Sequence, residues 1–80
     1  MFNTENVIPY VKDGEWNSST QLLKDMGLKL TSDNYKRLKL IMLKSGCEYA
    51  KDRKNHTGYI INEMEMRKEV AKRAIRLTRY

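Results

Sequence analysis

Cysteine, histidine and proline each occur only once in this chain of 80 residues, and long apolar runs are lacking. The single cysteine, Cys47, excludes an internal disulfide framework and fits a reducing cytoplasm. No apolar stretch approaches the roughly 20 residues that a membrane-spanning helix needs. The N-terminus also lacks the basic and then apolar pattern of a signal peptide. We therefore expect a cytoplasmic protein that has no membrane contact.

Residue patterns of common catalytic and metal sites are also missing. His56 has neither a second histidine nor a cysteine at ligand spacing, so it does not indicate a metal site. The chain contains no nucleophile–base pair, no glycine-rich phosphate loop and no repeated carboxylate signature. We expect a protein that is not an enzyme and needs no cofactor or metal.

Positive charge is abundant and unevenly distributed. The net charge is +6. Residues 1–30 contain three lysines and four acidic residues, whereas residues 31–80 contain thirteen lysines and arginines and six acidic residues. The basic part of the chain therefore begins near residue 31. This asymmetry favours a polyanionic partner, most often a nucleic acid, although an acidic protein surface is an alternative.

The N-terminal segment predicts a first helix. Residues 6–13 hold a short apolar cluster, and Pro9 falls near the first turn, where its missing N–H costs least. An extended segment is the alternative, because several of these residues favour strands. A turn follows, and we expect Trp16 to pack in the core between the helices on either side.

The second helix has local signals at both ends. Ser18 and Gln21 have the spacing of a capping box, in which a side chain at each position bonds the backbone of the other. Gly27 is placed to end the helix in the left-handed conformation. These signals predict a helix over residues 19–26.

A third helix, predicted over residues 31–44, has two distinct faces. Thr31 or Ser32 serves as its N-cap. Tyr35, Leu38 and Met42 share an apolar face with Ile41 at its edge. The opposite face carries Asp33, Lys36, Arg37, Leu40 and Lys44. An ordinary solvated face explains these cations for one helix alone, so the neighbouring elements decide the interpretation.

The last third of the chain predicts a hairpin and a terminal helix. Strand-forming residues within 47–62 flank the polar, basic segment 51–58, which indicates a two-stranded hairpin with a basic tip. Asn62 then caps a helix with a wide apolar stripe that contains Met66, Val70, Ala74 and Leu77. This stripe either completes the core or forms a dimer interface.

This order of elements resembles the winged helix-turn-helix class of DNA-binding domains. The resemblance is carried by NVIPYVKDGEW, SSTQLLKDMG, TSDNYKRLKLIMLKSG and CEYAKDRKNHTGYII. It implies a mainly α domain of residues 1–80 with three helices and a two-stranded wing within residues 6–62. The C-terminal helix, 62–80, would complete the core or form a homodimer. The short form without an effector domain is similar to transcriptional regulators of phages and other mobile elements.

Members of that class bind double-stranded DNA with the third helix in the major groove and the wing on the backbone or in the minor groove. By position, the resemblance implies that Asn34, Lys36 and Arg37 contact base edges and that Ser32 and Lys39 bind phosphates. It implies wing contacts from Lys51, Arg53, Lys54 and Asn55. It also implies backbone N–H groups offered to a phosphate by Ser18 and Ser19.

A second hypothesis starts from the apolar residues on the same helix. Leu40 and Leu43 lie on or near the proposed groove-facing side, where polar residues are more usual. A small viral-type inhibitor would use such leucines and a basic face to bind a host nucleic-acid-processing protein. RNA binding is a third hypothesis, less favoured because it calls for exposed aromatic residues that stack on bases.

Overall fold

Residues 2–78 are described by the structure, a computed structural model, with side chains described up to residue 72. Together these residues form a small α+β domain. A 3-10 helix, Ile8–Tyr10, directly follows the first α-helix. The helices are α1 (Thr4–Val7), α2 (Ser19–Asp25), α3 (Ser32–Lys44) and α4 (Glu63–Thr78), and the strands are β1 (Trp16–Ser18), β2 (Glu48–Lys51) and β3 (Thr57–Ile60).

The strands form one antiparallel sheet in the order β1-β3-β2. The predicted hairpin is confirmed as β2 and β3, which pair from Glu48 with Ile60 to Lys51 with Thr57. The hairpin belongs to a three-stranded sheet rather than standing as two strands alone, because β1 pairs with the other edge of β3. Strand β1 has only three residues and is recognisable only through its pairing with β3, whose partner residues lie 40 to 44 positions later in the chain. The sequence around it gives no local alternation that predicts it.

The two faces of the sheet have different roles. Tyr49, Tyr59 and Asn17 lie in register across the three strands, so their side chains share one face, and Tyr59 is buried in the core. Trp16 lies on the other face, and its indole N–H donates to the carbonyl of Ala50, 3.1 Å away across β3. The expectation that Trp16 packs between helices is therefore wrong, because it covers the outer face of the sheet instead.

The N-terminal helix begins earlier and is shorter than predicted. Helix α1 starts after Asn3, and the chain changes to the 3-10 form at Ile8, with Pro9 in its first turn. Proline has no N–H to donate to the carbonyl four residues earlier, which explains why the α-helix stops there. Phe2 and Thr4 are buried, so this terminus belongs to the core.

The predicted limits of the two central helices are confirmed to within one residue. The Ser18 hydroxyl accepts from the Gln21 N–H at 3.3 Å, and the Thr31 hydroxyl accepts from the Asn34 N–H at 3.2 Å. Gly27 and Gly46 follow the two helices with φ of +73° and +78°. Both ends of each helix are thus determined by residues within one turn.

One cluster of buried side chains joins these elements. It contains Phe2, Val7, Leu22, Leu23, Leu38, Ile41, Met42, Cys47, Tyr59, Ile61 and Met66. The predicted apolar face of α3 is confirmed, since Leu38 and Met42 are fully buried. Burial also raises the pKa of the Cys47 thiol, which keeps it protonated.

Helix α4 contributes to the core through Met66, whereas Val70 is only half-buried and Met64 and Ala71 are exposed. The Asn62 side chain accepts from the Glu65 N–H at 3.3 Å, which confirms the predicted cap. Ala74 and Leu77 lie outside the described side chains, so the dimer interface stays a prediction. Within residues 2–78, no helix combines the length and the apolar character required to cross a membrane.

Candidate nucleic-acid interface

A groove of about 360 Å³ lies between α3, the start of α2 and the hairpin. We call it the helix–hairpin groove. It is lined by Ser19, Tyr35, Lys36, Lys39, Tyr49, Thr57 and Tyr59. The basic helix and the hairpin therefore share one surface. Two lysines of α3 lie beside the strands that lead to the basic tip.

Aromatic packing positions the hairpin against α3. The Tyr49 and Tyr59 rings are 5.6 Å apart between centroids, and the Lys39 ammonium lies 4.9 Å from the centre of the Tyr49 ring. This cation–π contact holds Lys39 at the edge of the groove. Burial raises the pKa of Tyr59 to about 12, so its hydroxyl is neutral at physiological pH. The sequence analysis did not predict Tyr49 as a groove residue. Tyr49 lies two residues before Lys51 in β2, so both side chains lie on the same face of the strand, which was an available signal.

The side-chain hydroxyl groups of the two serines at the start of α2 form hydrogen bonds within the protein. Ser19 is buried, and its Oγ lies 2.9 Å from the Thr57 carbonyl and 2.7 Å from the Thr57 hydroxyl. Ser18 is the N-cap of α2. These contacts tie α2 to β3 and so fix one wall of the groove. The predicted phosphate contacts of Ser18 and Ser19 through their backbone N–H groups stay predictions.

The residues predicted to contact base edges differ in their surroundings. Lys36 is exposed, and Ser32 is exposed at the first position of α3. The Asn34 side-chain amide instead donates to the Lys29 carbonyl at 2.7 Å. The Nε of Arg37 donates to the Phe2 carbonyl at 3.1 Å. Asn34 therefore holds the turn before α3, and Arg37 holds the N-terminal segment, which leaves Lys36 as the best-placed base-edge candidate.

A second groove, of about 510 Å³, runs along α3 beside the N-terminal segment and α4. We call it the leucine groove. It is lined by Asn3, Thr4, Arg37, Leu40, Ile41, Leu43, Lys44 and Glu69. The Lys44 ammonium lies 3.9 Å from a Glu69 carboxylate oxygen at one end. The exposed side of α3 is thus divided, with Lys36 and Lys39 facing the hairpin and Arg37 facing the leucines.

The hairpin tip is ordered by one carboxylate. Asp52 accepts from the backbone N–H groups of Lys54 and His56 at 2.9 and 2.8 Å. Asn55 has a φ of +68°, a conformation that asparagine tolerates better than most residues. Lys51, Arg53 and Lys54 are all exposed. The tip therefore presents its three cations to solvent on a backbone held by Asp52.

The tip is expected to lose its order in acid. The hydrogen bond from the His56 backbone is the main reason that the pKa of Asp52 lies below its ordinary value of 3.8. Because the pKa is lowered on folding, this stabilisation is complete above about pH 4 and is lost as the pH falls through the lowered pKa. Amide exchange at Lys54 and His56 should therefore be protected at pH 5 and should accelerate as the pH falls below about 4, after correction for intrinsic exchange.

The matched control is Asp52→Asn, which keeps the shape of the side chain and removes its charge. We expect this variant to show weaker protection at Lys54 and His56 even at pH 7. Equal protection in both proteins across the whole pH range would show that the carboxylate does not order the tip.

Comparisons with protein-family models, curated proteins and solved structures find no match for this chain. Among the residues that the structure describes, no group of histidine, cysteine and acidic side chains is arranged to hold a metal ion. The functional proposal therefore rests on the geometry and charge of the two grooves and the hairpin tip.

Proposed function

We propose that this protein binds double-stranded DNA as a small winged helix-turn-helix transcriptional regulator. Helix α3 enters the major groove, and the β2–β3 hairpin acts as the wing on the backbone. The observation that carries the proposal is the helix–hairpin groove, in which Lys36 and Lys39 lie on the same surface as the hairpin. A duplex offers negative charge to both elements at once.

Each cation then has a distinct role. Lys36 is exposed in the first half of α3 and donates to guanine, the commonest specific base contact of lysine. Lys39 and Ser32 bind phosphates beside the groove. The three cations of the hairpin tip, Lys51, Arg53 and Lys54, bind the backbone without reading sequence. Arg37 uses one of its five N–H donors on Phe2 and keeps others for a base or phosphate.

The test is a titration onto mixed-sequence duplex DNA at several salt concentrations. If five lysine and arginine residues contact phosphates, log K should fall by about 4.5 per log unit of salt. From about 50 to about 200 mM salt, affinity should then fall about 500-fold. The control is Lys24→Ala, which removes an exposed cation of α2 outside the groove and should leave the slope unchanged. Absence of binding at low salt would refute the proposal.

The leucine groove favours a second candidate, a protein-binding inhibitor. Leu40 is 64% exposed and Leu43 is 48% exposed, and both line the same groove as the core residue Ile41. Apolar anchors of this kind dominate many protein interfaces. If this candidate is right, the wild-type protein binds no duplex, and Leu43→Asp abolishes capture of a host protein without lowering the melting temperature. A large fall in melting temperature would assign Leu43 to the core instead.

A further inference from the structure

We propose that Leu40 is a specificity-determining residue that contacts the 5-methyl group of thymine in the major groove. The inference rests on the proposed DNA-binding function and names the base that the site prefers. Its starting point is the exposure of Leu40, which at 64% exceeds that of Leu30 and Leu43. A leucine this exposed adds little to the stability of the fold.

The position of Leu40 on α3 points it away from the protein. At about 100° per residue, Leu40 lies roughly 160° around the helix from both Leu38 and Met42. Those two side chains are fully buried and define the direction of the core. When α3 lies in a groove with its core face outward, Leu40 therefore faces the groove floor.

The chemistry of the groove floor then limits what Leu40 contacts. In the major groove, the thymine methyl is the apolar group of a base edge, whereas the other groups are hydrogen-bond donors and acceptors. A leucine placed over a donor or acceptor removes water from it without replacing the hydrogen bond, which is unfavourable. A leucine over the methyl group buries apolar surface on both sides. Leu40 should therefore select thymine and disfavour cytosine.

The neighbouring cation predicts where this thymine lies. Lys36 precedes Leu40 by four residues, about one turn and about 6 Å along the helix axis. Base pairs are spaced about 3.4 Å apart along the duplex. If Lys36 donates to a guanine and α3 follows the groove, the thymine should lie within about two base pairs of that guanine.

The experiment first selects the preferred duplex with the wild-type protein and then replaces its thymines one at a time with deoxyuridine. Deoxyuridine keeps every hydrogen-bonding group of thymine and lacks the 5-methyl. We expect one or two positions at which wild-type affinity falls about fourfold, the effect of burying one such carbon. Leu40→Ala should bind the thymine and deoxyuridine duplexes equally well at those positions.

The control variant is Leu30→Ala, which removes another exposed leucine that lies outside α3 and should keep the thymine preference. Thermal unfolding should show that both variants fold. Steep salt dependence without any deoxyuridine effect, or an effect that Leu40→Ala retains, would overturn the role of Leu40 and leave DNA binding intact. Failure of the wild-type protein to bind any duplex would overturn both the proposed function and this inference.

Discussion

Replacing Gly58 with alanine is expected to lower the free energy of unfolding by about 3 kcal/mol, the upper end of the usual cost of overpacking. Gly58 lies at the centre of the sheet, paired with Ser18 on one side and Ala50 on the other. An added Cβ would meet the ring of Trp16 and would lie 2.6 Å from the Asn17 carbonyl oxygen. The backbone of Asn17 cannot withdraw without breaking the pairing of β1.

The Trp16 ring cannot withdraw cheaply either. Its indole N–H donates to the Ala50 carbonyl on the far side of β3, so the ring lies across Gly58. Moving the ring would break this hydrogen bond and expose the ring, which adds to the cost. The glycine is therefore required by the close approach of Trp16 and not by its backbone conformation, since its φ is not positive.

Gly14→Ala is the matched control for this prediction. Gly14 has a φ of +73°, but a Cβ there would meet no atom within 4 Å. The left-handed conformation should cost alanine about 1 kcal/mol. Urea unfolding of both variants measures the difference. Equal losses would show that the space above Gly58 adapts and that Trp16 is not held rigidly.

Local signals in the sequence predicted the helices well, and long-range contacts explain most of what it did not predict. Ser18, Thr31 and Asn62 each cap a helix through a backbone N–H three residues away, so the information lies within one turn. Strand β1 depends on pairing with β3, from Trp16 with Ile60 to Ser18 with Gly58. No pattern within the three residues of β1 encodes that pairing.

The same distinction applies to the candidate site. The pattern of α3 correctly placed Lys36 and Arg37 away from the apolar face, but it could not assign them to different grooves. Arg37 faces the N-terminal segment because Phe2 is buried and its carbonyl accepts from the guanidinium. The Asn34 side-chain amide similarly donates to the Lys29 carbonyl. Polar residues on one helical face thus differ in whether their side chains are free to bind DNA. The difference depends on hydrogen bonds to other segments, which the pattern of α3 alone does not show.

Asn17 has a structural role that the sequence pattern did not predict. Its side-chain amide is buried and donates to the carbonyls of Lys12 and Glu15 at 3.0 and 2.9 Å, while its oxygen accepts from the Lys12 N–H at 2.9 Å. This residue closes the loop that leads into β1 and so positions Trp16. An asparagine before two serines reads as part of a polar loop until these partners are known.

Removing the three cations of the hairpin tip is expected to have the largest effect on DNA binding. In the triple variant Lys51→Ala, Arg53→Ala and Lys54→Ala, the salt dependence of log K should flatten by about 2.7 units, because each lost phosphate contact removes about 0.9. Affinity near 0.1 M salt should fall by two to three orders of magnitude, because the lost slope acts over about one log unit of salt below 1 M. The loop itself should persist, because Asp52 binds the backbone N–H of Lys54 and not its side chain.

The matched control removes three cations from α4, with Arg67→Ala, Lys68→Ala and Lys72→Ala. All three are exposed, and Arg67 and Lys68 form exposed ion pairs with Glu63 and Glu65, which contribute little to stability. Both triple variants lower the net charge by the same amount. If the hairpin contacts the backbone as a wing, only the hairpin variant loses salt dependence. If both variants lose it equally, the attraction comes from overall charge, and the hairpin has no specific place on the duplex.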